Sequence, residues 1–321
     1  MFDSYFKVNM NTPFLLAPMA ELSHRALREL IEGFGGCNEY FTEMISAGAL
    51  LGGGPFESWY IDNGPRPEKL VYQLVGADSG QISRAAALLD QRECAGIDIN
   101  MGCSAPLIRK TGAGVAWMAS IDRAGELIGQ VRQVVKRRLS VKLRIGFQDD
   151  FEYLANFCRR LEAEGVELIT LHPRTALEKF KRLARWDYVG KLRQELGIPV
   201  AGNGDIASVA DLLRRAAGHG FGPIMVGRAA VRQPWIFAQK VPGTISIEET
   251  GLRFLELLGR YQPVEFHLSR ARLFFSYFCD NLKWGNYLKN LLNREETLAG
   301  IERVWRGYFA EHGEEENSSG A

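Results

Sequence analysis

Short apolar runs alternate with amphipathic stretches from residue 14 to about residue 240. One stretch carries Ala124, Leu127, Ile128, Val131 and Val134, which is a helical spacing. Eight apolar runs are typical of strands: Phe14–Ala17, Glu39–Met44, Lys69–Leu74, Ala95–Asn100, Leu139–Arg144, Leu168–Leu171, Pro199–Ala201 and Pro223–Val226. This α/β rhythm predicts parallel strands, and eight units favour a closed (β/α)8 TIM barrel. An open doubly wound sheet is the alternative, but it more often has a glycine-rich turn after its first strand, and none follows Ala17.

The pattern changes after residue 243, where strand-like runs give way to helical spacing. Helices are predicted over 248–260, 264–292 and 295–309, with Pro263 separating the first two. We therefore expect a barrel over 1–243, a small all-helical domain over 244–310 and a flexible acidic tail over 311–321.

Composition narrows the class of protein. The 321 residues carry a formal net charge of +1, so binding to a polyanion needs local clusters of Lys and Arg. The five cysteines form no CxxC pair, which argues against a disulfide framework or a zinc site and favours a reducing, cytoplasmic location. We see no signal peptide and no apolar run near 18 residues, so we expect no membrane span. We also expect no metal, because the cysteines lack a ligand spacing, and a monomer.

Polar groups stand where nearly every predicted strand ends, and barrel strand ends converge on one site. The residues at the strand ends are Pro18, Met19, Glu43, Gln73, Asn100, Cys103, Lys142, His172, Arg174, Asn203, Gly204, Asp205, Gly227 and Arg228. Cys103 follows Asn100-Met101-Gly102 and precedes a small-residue loop, which favours a reactive thiol, although a free cysteine is often a small core residue.

Glycine turns end the last two strands, and Arg228 follows the second turn. Backbone N–H groups in such turns can hold a phosphate, unless Gly204 and Gly227 serve only as tight turns. Gln73, Lys142 and His172 would then face the ring system of a cofactor such as a flavin. Alternatively, Lys142 could form a buried structural ion pair with Glu43 or Asp98.

The ordered set of motifs resembles the tRNA-dihydrouridine synthase family. The matching stretches are Ala17–Met19, Thr42–Met44, Gln73–Gly76, Asp98–Cys103, Ser140–Arg144, His172–Thr175, Asn203–Asp205 and Gly227–Ala230. The resemblance implies an FMN-dependent oxidoreductase that reduces the C5–C6 double bond of selected uridines in tRNA with NADPH. It implies that Cys103 donates the proton. It also implies that FMN is bound by Pro18, Met19, Ala20, Gln73, Lys142, His172, Asn203, Gly204, Asp205, Gly227 and Arg228.

Substrate contacts are expected from Asn100 and Arg174 at the strand ends and from Arg270, Arg272 and Lys283 in the helical domain. Two basic stretches, 267–294 and 174–193, suit phosphate contact, and Tyr277, Trp284 and Tyr287, which are interleaved in the first, could stack on bases. A solvated helix face, with Trp284 and Tyr287 in the core, is the alternative.

Three local departures from the family pattern affect substrate choice more than the cofactor. Ser104 stands where proline is usual, Glu21–His24 replaces a Gly and a Thr-Asp pair, and Pro173 replaces a common glycine. An FMN barrel reductase of a small molecule, the same reaction on ribosomal RNA and a non-catalytic RNA-binding protein stay open as alternatives.

Overall fold

A computed structural model describes residues 12–178, 180–218, 222–238 and 245–318. Its centre is a closed barrel of eight parallel strands in sequence order, and β8 pairs back onto β1 through Phe14 and Ile224. The strands are β1 Phe14–Leu16, β2 Glu39–Ser46, β3 Leu70–Val75, β4 Gly96–Met101, β5 Arg138–Gly146, β6 Leu168–Thr175, β7 Val200–Asn203 and β8 Ile224–Val226. The predicted (β/α)8 barrel is confirmed.

Helices cover the barrel and continue beyond it. They are α1 Arg25–Gly33, α2 Ala47–Gly52, α3 Glu57–Tyr60, α4 Ser79–Asp90, α5 Pro106–Lys110, α6 Ile121–Val134, α7 Phe151–Ala163, α8 Trp186–Glu195, α9 Val209–Gly218, α10 Arg228–Arg232, α11 Ile247–Tyr261, α12 Val264–Phe278, α13 Gly285–Leu292 and α14 Leu298–Ser318. None of the helices in the described part is long and apolar enough to cross a membrane.

Burial on both faces explains why the strands lack polar alternation. Every residue of β3 and β4 is buried, as expected for parallel strands that face a filled interior and a shell of helices. Leu15, Phe41, Val71 and Met225 belong to a separate small cluster inside the barrel. The much larger cluster lies outside it and runs without a break into the C-terminal helices.

The C-terminal helices, α11 to α14, pack around an aromatic core. Phe254 stacks on Phe274 with ring centroids 3.6 Å apart, and Phe275 lies 4.7 Å from Trp305. The single helix predicted over 264–292 is wrong, because a 3-10 turn at Cys279–Asn281 separates α12 from α13. A side chain at Gly285 would clash with the carbonyl oxygen of Cys279, so the chain can turn there only with glycine.

Three of the sequence predictions concern residues that lie wholly or partly outside the described part of the chain. The segment read for a signal peptide, 1–7, and the predicted boundary near residue 243 both lie outside them. The backbone over 311–318 continues α14, while 319–321 lie outside the described part. The division into domains stays a prediction.

A buried ion pair joins the barrel to the C-terminal helices. The Arg270 Nη2 atom on α12 lies 3.1 Å from Glu43 Oε2 on β2, and both side chains are at most 5% exposed. The Glu21 backbone N–H also donates to Glu43, and Arg270 donates to Gln262. Arg270 was predicted to contact RNA. It is buried and its charge is paired with Glu43, so it is not available for that contact.

Replacing Arg270 with Met should lower the free energy of unfolding by about 3–5 kcal/mol, since Glu43 would stay buried without its cation. Adding Glu43→Gln should recover part of this loss. Arg306→Met, which breaks an exposed pair with Glu302, is the control and should change it by less than about 1 kcal/mol. Urea unfolding measures all three, and equal effects of Arg270→Met and Arg306→Met would contradict the prediction.

His24 lies beside this ion pair and is also buried. Neither of its ring nitrogens has a hydrogen-bond partner among the described residues. Burial, then Arg270 and Arg28, hold the pKa of His24 well below its usual range. In the unfolded chain the imidazole takes up a proton below about pH 6.5, whereas in the folded chain it stays neutral, so stability should fall as the pH drops.

His24→Leu should therefore make the protein less sensitive to acid. The loss of unfolding free energy between pH 7.5 and pH 5.5 should be smaller than in the wild type, by up to about 1.4 kcal/mol per pH unit below 6.5. Urea unfolding at the two pH values measures this, with His312→Leu on α14 as the control. Parallel pH dependence in wild type and His24→Leu would refute it.

Candidate active site

A cavity of about 820 Å³ opens at the carboxyl ends of the strands. Twelve of the predicted site residues line it: Pro18, Met19, Asn100, Cys103, Lys142, His172, Arg174, Asn203, Gly204, Asp205, Gly227 and Arg228. Ala20 is exposed and Gln73 is fully buried, and neither of them lines the cavity. The strand ends thus converge as the barrel requires.

Cys103 is held at the cavity by both of its backbone groups. Its N–H donates to Asn100 Oδ1 at 2.9 Å, and its carbonyl accepts from the Val115 N–H at 3.0 Å. Gly114 adopts φ +61°, and a methyl group there would lie 2.6 Å from that carbonyl oxygen. Cys103 is half-buried while the other four cysteines are buried, so the core-residue alternative does not hold.

Gln73 is fully buried and does not reach the cavity where the prediction put it. Its Nε2 donates to Asp98 at 2.7 Å, and its Oε1 accepts from Asn100 Nδ2 at 2.9 Å. The cause is the register, which pairs Gln73 with Asp98 on β4. Both ends of the amide are therefore occupied by protein groups.

Lys142 lies beside Asn100 in the β4–β5 pair and lines the cavity. Within the described chain its ammonium has no hydrogen bond and no ion pair. Glu43 pairs with Arg270, while Asp98 accepts hydrogen bonds from Gln73 and Ser140, so neither predicted ion pair of Lys142 forms. Burial, with Arg144 adding to it, lowers the pKa of Lys142 to about 8. At neutral pH this site offers an anionic ligand an unpaired cation.

His172 and Arg174 form a second polar group at the end of β6. Arg174 Nη1 lies 2.9 Å from His172 Nε2, and because a guanidinium only donates, that nitrogen accepts. Burial, followed by Lys142 and nearby arginines, lowers the pKa of His172. Asp205, predicted to bind the cofactor, instead accepts from Arg174 at 2.5 Å and from the Ala184 N–H at 2.6 Å. Its carboxylate fixes the β6–α8 loop.

The two predicted phosphate turns lie side by side. Asn203 Nδ2 donates to the Met225 carbonyl at 2.8 Å and so ties the end of β7 to β8. Gly204 has φ +120°, and a methyl group there would lie 3.1 Å from the His172 ring. The Gly227 turn leads to Arg228, which is exposed at the cavity rim. Among the described residues, no group of three or more His, Cys, Asp or Glu side chains could hold a metal.

The family model described as Dihydrouridine synthase (Dus) matches residues 15–311. The chain belongs to the dihydrouridine synthase family. It is an enzyme of this oxidoreductase family. A "Probable tRNA-dihydrouridine synthase" of Aquifex aeolicus is 32% identical over 230 residues, covering 70% of this chain and 71% of that protein. A "tRNA-dihydrouridine(16) synthase" of Cupriavidus necator is 27% identical over 313 residues, covering 91% and 96%.

Two solved structures share the fold at low sequence identity. A 2-naphthoyl-CoA reductase complex matches with TM-score 0.53 and 10% identity, covering 70% of this chain and 49% of that one. Histamine dehydrogenase from Rhizobium sp. 4-9 matches with TM-score 0.52 and 13% identity, covering 76% and 49%. They support the barrel fold and nothing finer.

Several cavity residues of this dihydrouridine synthase were missed by sequence reasoning. Arg144 donates to the Gly102 carbonyl at 3.1 Å and to the Thr175 carbonyl at 3.2 Å, and its place two residues after Lys142 on β5 could have signalled it. The exposed Phe180 ring lies 4.5 Å from the Arg228 guanidinium. Arg232 and Asp280 were also missed, while Tyr277, predicted as an aromatic for base stacking, lines the cavity. No sequence signal shows that the C-terminal helices reach the rim.

The predicted RNA contacts fall into two groups. Arg270 is buried, and Arg272 is half-buried with its guanidinium donating to the Glu295 carbonyl. Lys283 is exposed, beside Trp284 at 46% exposure and Tyr287 at 56%. The alternative that these two aromatics lie in the core is wrong. The exposed face at the start of α13 therefore combines a cation with two aromatic rings.

Proposed function

We propose that this dihydrouridine synthase reduces the C5–C6 double bond of a uridine in tRNA, with FMN bound in the cavity and NADPH as reductant. The observation that carries the proposal is a half-buried thiol, Cys103, fixed at a barrel rim beside an unpaired cation, Lys142. A thiol is mostly protonated at neutral pH and can act as a general acid.

The residues around the cavity fit FMN. Lys142 would offset negative charge on the flavin ring, while Arg228 and the turns at Gly204 and Gly227 would hold the phosphate. Pro18, Met19 and His172 would line the ring. When bound, FMN supplies the hydride that adds to C6 of uracil.

Cys103 would give the second hydrogen. Its S–H donates the proton to C5 of uracil, and the thiolate then regains a proton from solvent, to which the half-buried side chain has access. Asn100 and Arg144 also border the thiol, where they can contact the uracil carbonyl oxygens. The base must leave its stack to reach this depth.

An RNA substrate accounts for features that a small molecule does not require. Lys283 and Trp284 are exposed just before α13 and Tyr287 is exposed on it, while Tyr277 and Asp280 line the cavity on α12 and in the turn that follows it. Cations and exposed aromatics suit phosphates and unstacked bases.

Uridine 16 is the proposed target. The match to the Cupriavidus protein, named for that position, spans 91% of this chain and so includes the C-terminal helices, whereas the Aquifex match covers 70%. Dihydrouridine mapping in tRNA from cells lacking this protein tests it, and loss at another position alone would replace the assignment.

Cys103→Ala should keep FMN and lose dihydrouridine formation by roughly 10²–10⁴-fold, because the proton donor is gone. Cys158→Ala, which removes a thiol buried on α7, is the control. Flavin absorbance and dihydrouridine content of transcribed tRNA measure the two effects. Unchanged turnover in Cys103→Ala would rule out the acid role, and a wild-type protein that cannot be loaded with FMN would rule out the cofactor.

Lys142→Met should weaken FMN binding by roughly 10–100-fold, the usual effect of losing a charged hydrogen bond. Lys191→Met, which breaks a surface pair with Asp187 on α8, is the control. Titration of flavin fluorescence gives the dissociation constants. Equal constants for Lys142→Met and wild type would place the cation outside the FMN site.

A further inference from the structure

Asp98 is a fully buried carboxylate that neither hydride nor proton transfer uses. It lies on β4, two residues before the cavity-lining Asn100, and one of its carboxylate oxygens accepts from Ser140 Oγ at 2.6 Å. The other accepts from Gln73 Nε2 at 2.7 Å. A buried charge is costly, and it is retained only with good partners.

The hydrogen bonds continue from Asp98 to the thiol loop. Gln73 Oε1 accepts from Asn100 Nδ2 at 2.9 Å, and Asn100 Oδ1 accepts from the backbone N–H groups of Gly102 at 3.1 Å and Cys103 at 2.9 Å. The path therefore runs from a carboxylate through two amides to the backbone of Cys103.

Each amide in this path has only one usable orientation. A carboxylate only accepts, so Gln73 must turn its NH₂ group to Asp98 and its oxygen to Asn100. Asn100 must then turn its NH₂ group to Gln73 and its oxygen to the two backbone donors. Reversing Gln73 would set its oxygen against the Asp98 carboxylate and its NH₂ group against that of Asn100, and reversing Asn100 would set its NH₂ group against the Cys103 N–H.

We propose that Asp98 is a positioning residue, which fixes the place of the Cys103 thiol through Gln73 and Asn100. The proposal rests on the proposed function only for the thiol's role as proton donor. The position of the thiol itself can be measured without catalysis, because Cys103 is the one cysteine of the five that is not buried.

Burial raises the pKa of Asp98 to about 6, while the hydrogen bonds from Ser140 and Gln73 and the charges of Lys142 and Arg138 oppose the rise. Above that pH the carboxylate is ionised and accepts from both donors. The hydrogen-bond pattern required of Gln73 is therefore complete at neutral and alkaline pH.

Gln73→Glu tests the path because it sets a second carboxylate against Asp98. The two acids can keep the link to Asn100 only while they share a proton. Relative to wild type, kcat per bound flavin should therefore fall as the pH rises from 6 to 8.5, reaching a loss of roughly tenfold. Alkylation of Cys103 by iodoacetamide in flavin-free protein should accelerate over the same range.

The double variant Asp98→Asn/Gln73→Glu supplies the rescue. It has the charge and nearly the size of the wild-type pair, and the amide introduced at position 98 can donate to the carboxylate introduced at position 73, which still accepts from Asn100. Its alkylation rate and its kcat at pH 8.5 should return to within about threefold of wild type, which is less than 1 kcal/mol. A double variant that alkylates as fast as Gln73→Glu at pH 8.5 would overturn the proposal.

Ser140→Ala is the matched control, since it removes the other partner of Asp98 and leaves the path to Cys103 in place. It should leave the alkylation rate unchanged, and an acceleration equal to that of Gln73→Glu would mean general loosening and would overturn the proposal. If Gln73→Glu does not fold, Gln73→Met, which removes the amide, replaces it as the reference in both comparisons, and a Gln73→Met protein that alkylates at the wild-type rate would overturn the proposal. A wild type that forms no dihydrouridine would defeat the proposed function, while the alkylation results would still judge the positioning role.

Discussion

Asn100 and Lys142 are direct neighbours in the parallel pair of β4 and β5, and the cavity depends on that register. This register places the Asn100 amide, which accepts from the Cys103 backbone N–H, beside the unpaired ammonium of Lys142. A slip of β5 by one residue against β4 would turn Lys142 to the helical shell and leave Asn100 in place, because successive residues of a strand face opposite sides. Closure of the barrel removes the freedom to slip, since each strand is paired on both edges.

The fold and most of the cavity could be predicted from the sequence, because they depend on local features. Strand ends are marked by a change from apolar to polar residues, and parallel closure brings those ends together. Cys103, Lys142, His172 and Gly227 were located by that logic alone. Gln73 and Asp205 were also located on the right strands, but their partners, Asp98 and Arg174, depend on register between strands.

The errors concern contacts that no local pattern records. Arg270 lies in a basic stretch that a charge count assigns to the surface, yet its partner, Glu43, comes from a distant strand. Trp284 and Tyr287 show the converse, since large aromatics are often buried but these are exposed at the start of α13. Tyr277 and Asp280 complete the cavity wall only because the C-terminal helices fold back over the barrel, which periodicity does not reveal.

The wall built by Tyr277 and Asp280 has a consequence for biosynthesis. A barrel emerging from the ribosome could close all eight strands before α12 has left the exit tunnel, because domains form in order from the N-terminus. The rim of that barrel would still lack the wall formed by Tyr277 and Asp280, and the Glu43 carboxylate would not yet be paired with Arg270. The growing polypeptide therefore acquires a complete cavity wall only near the end of translation.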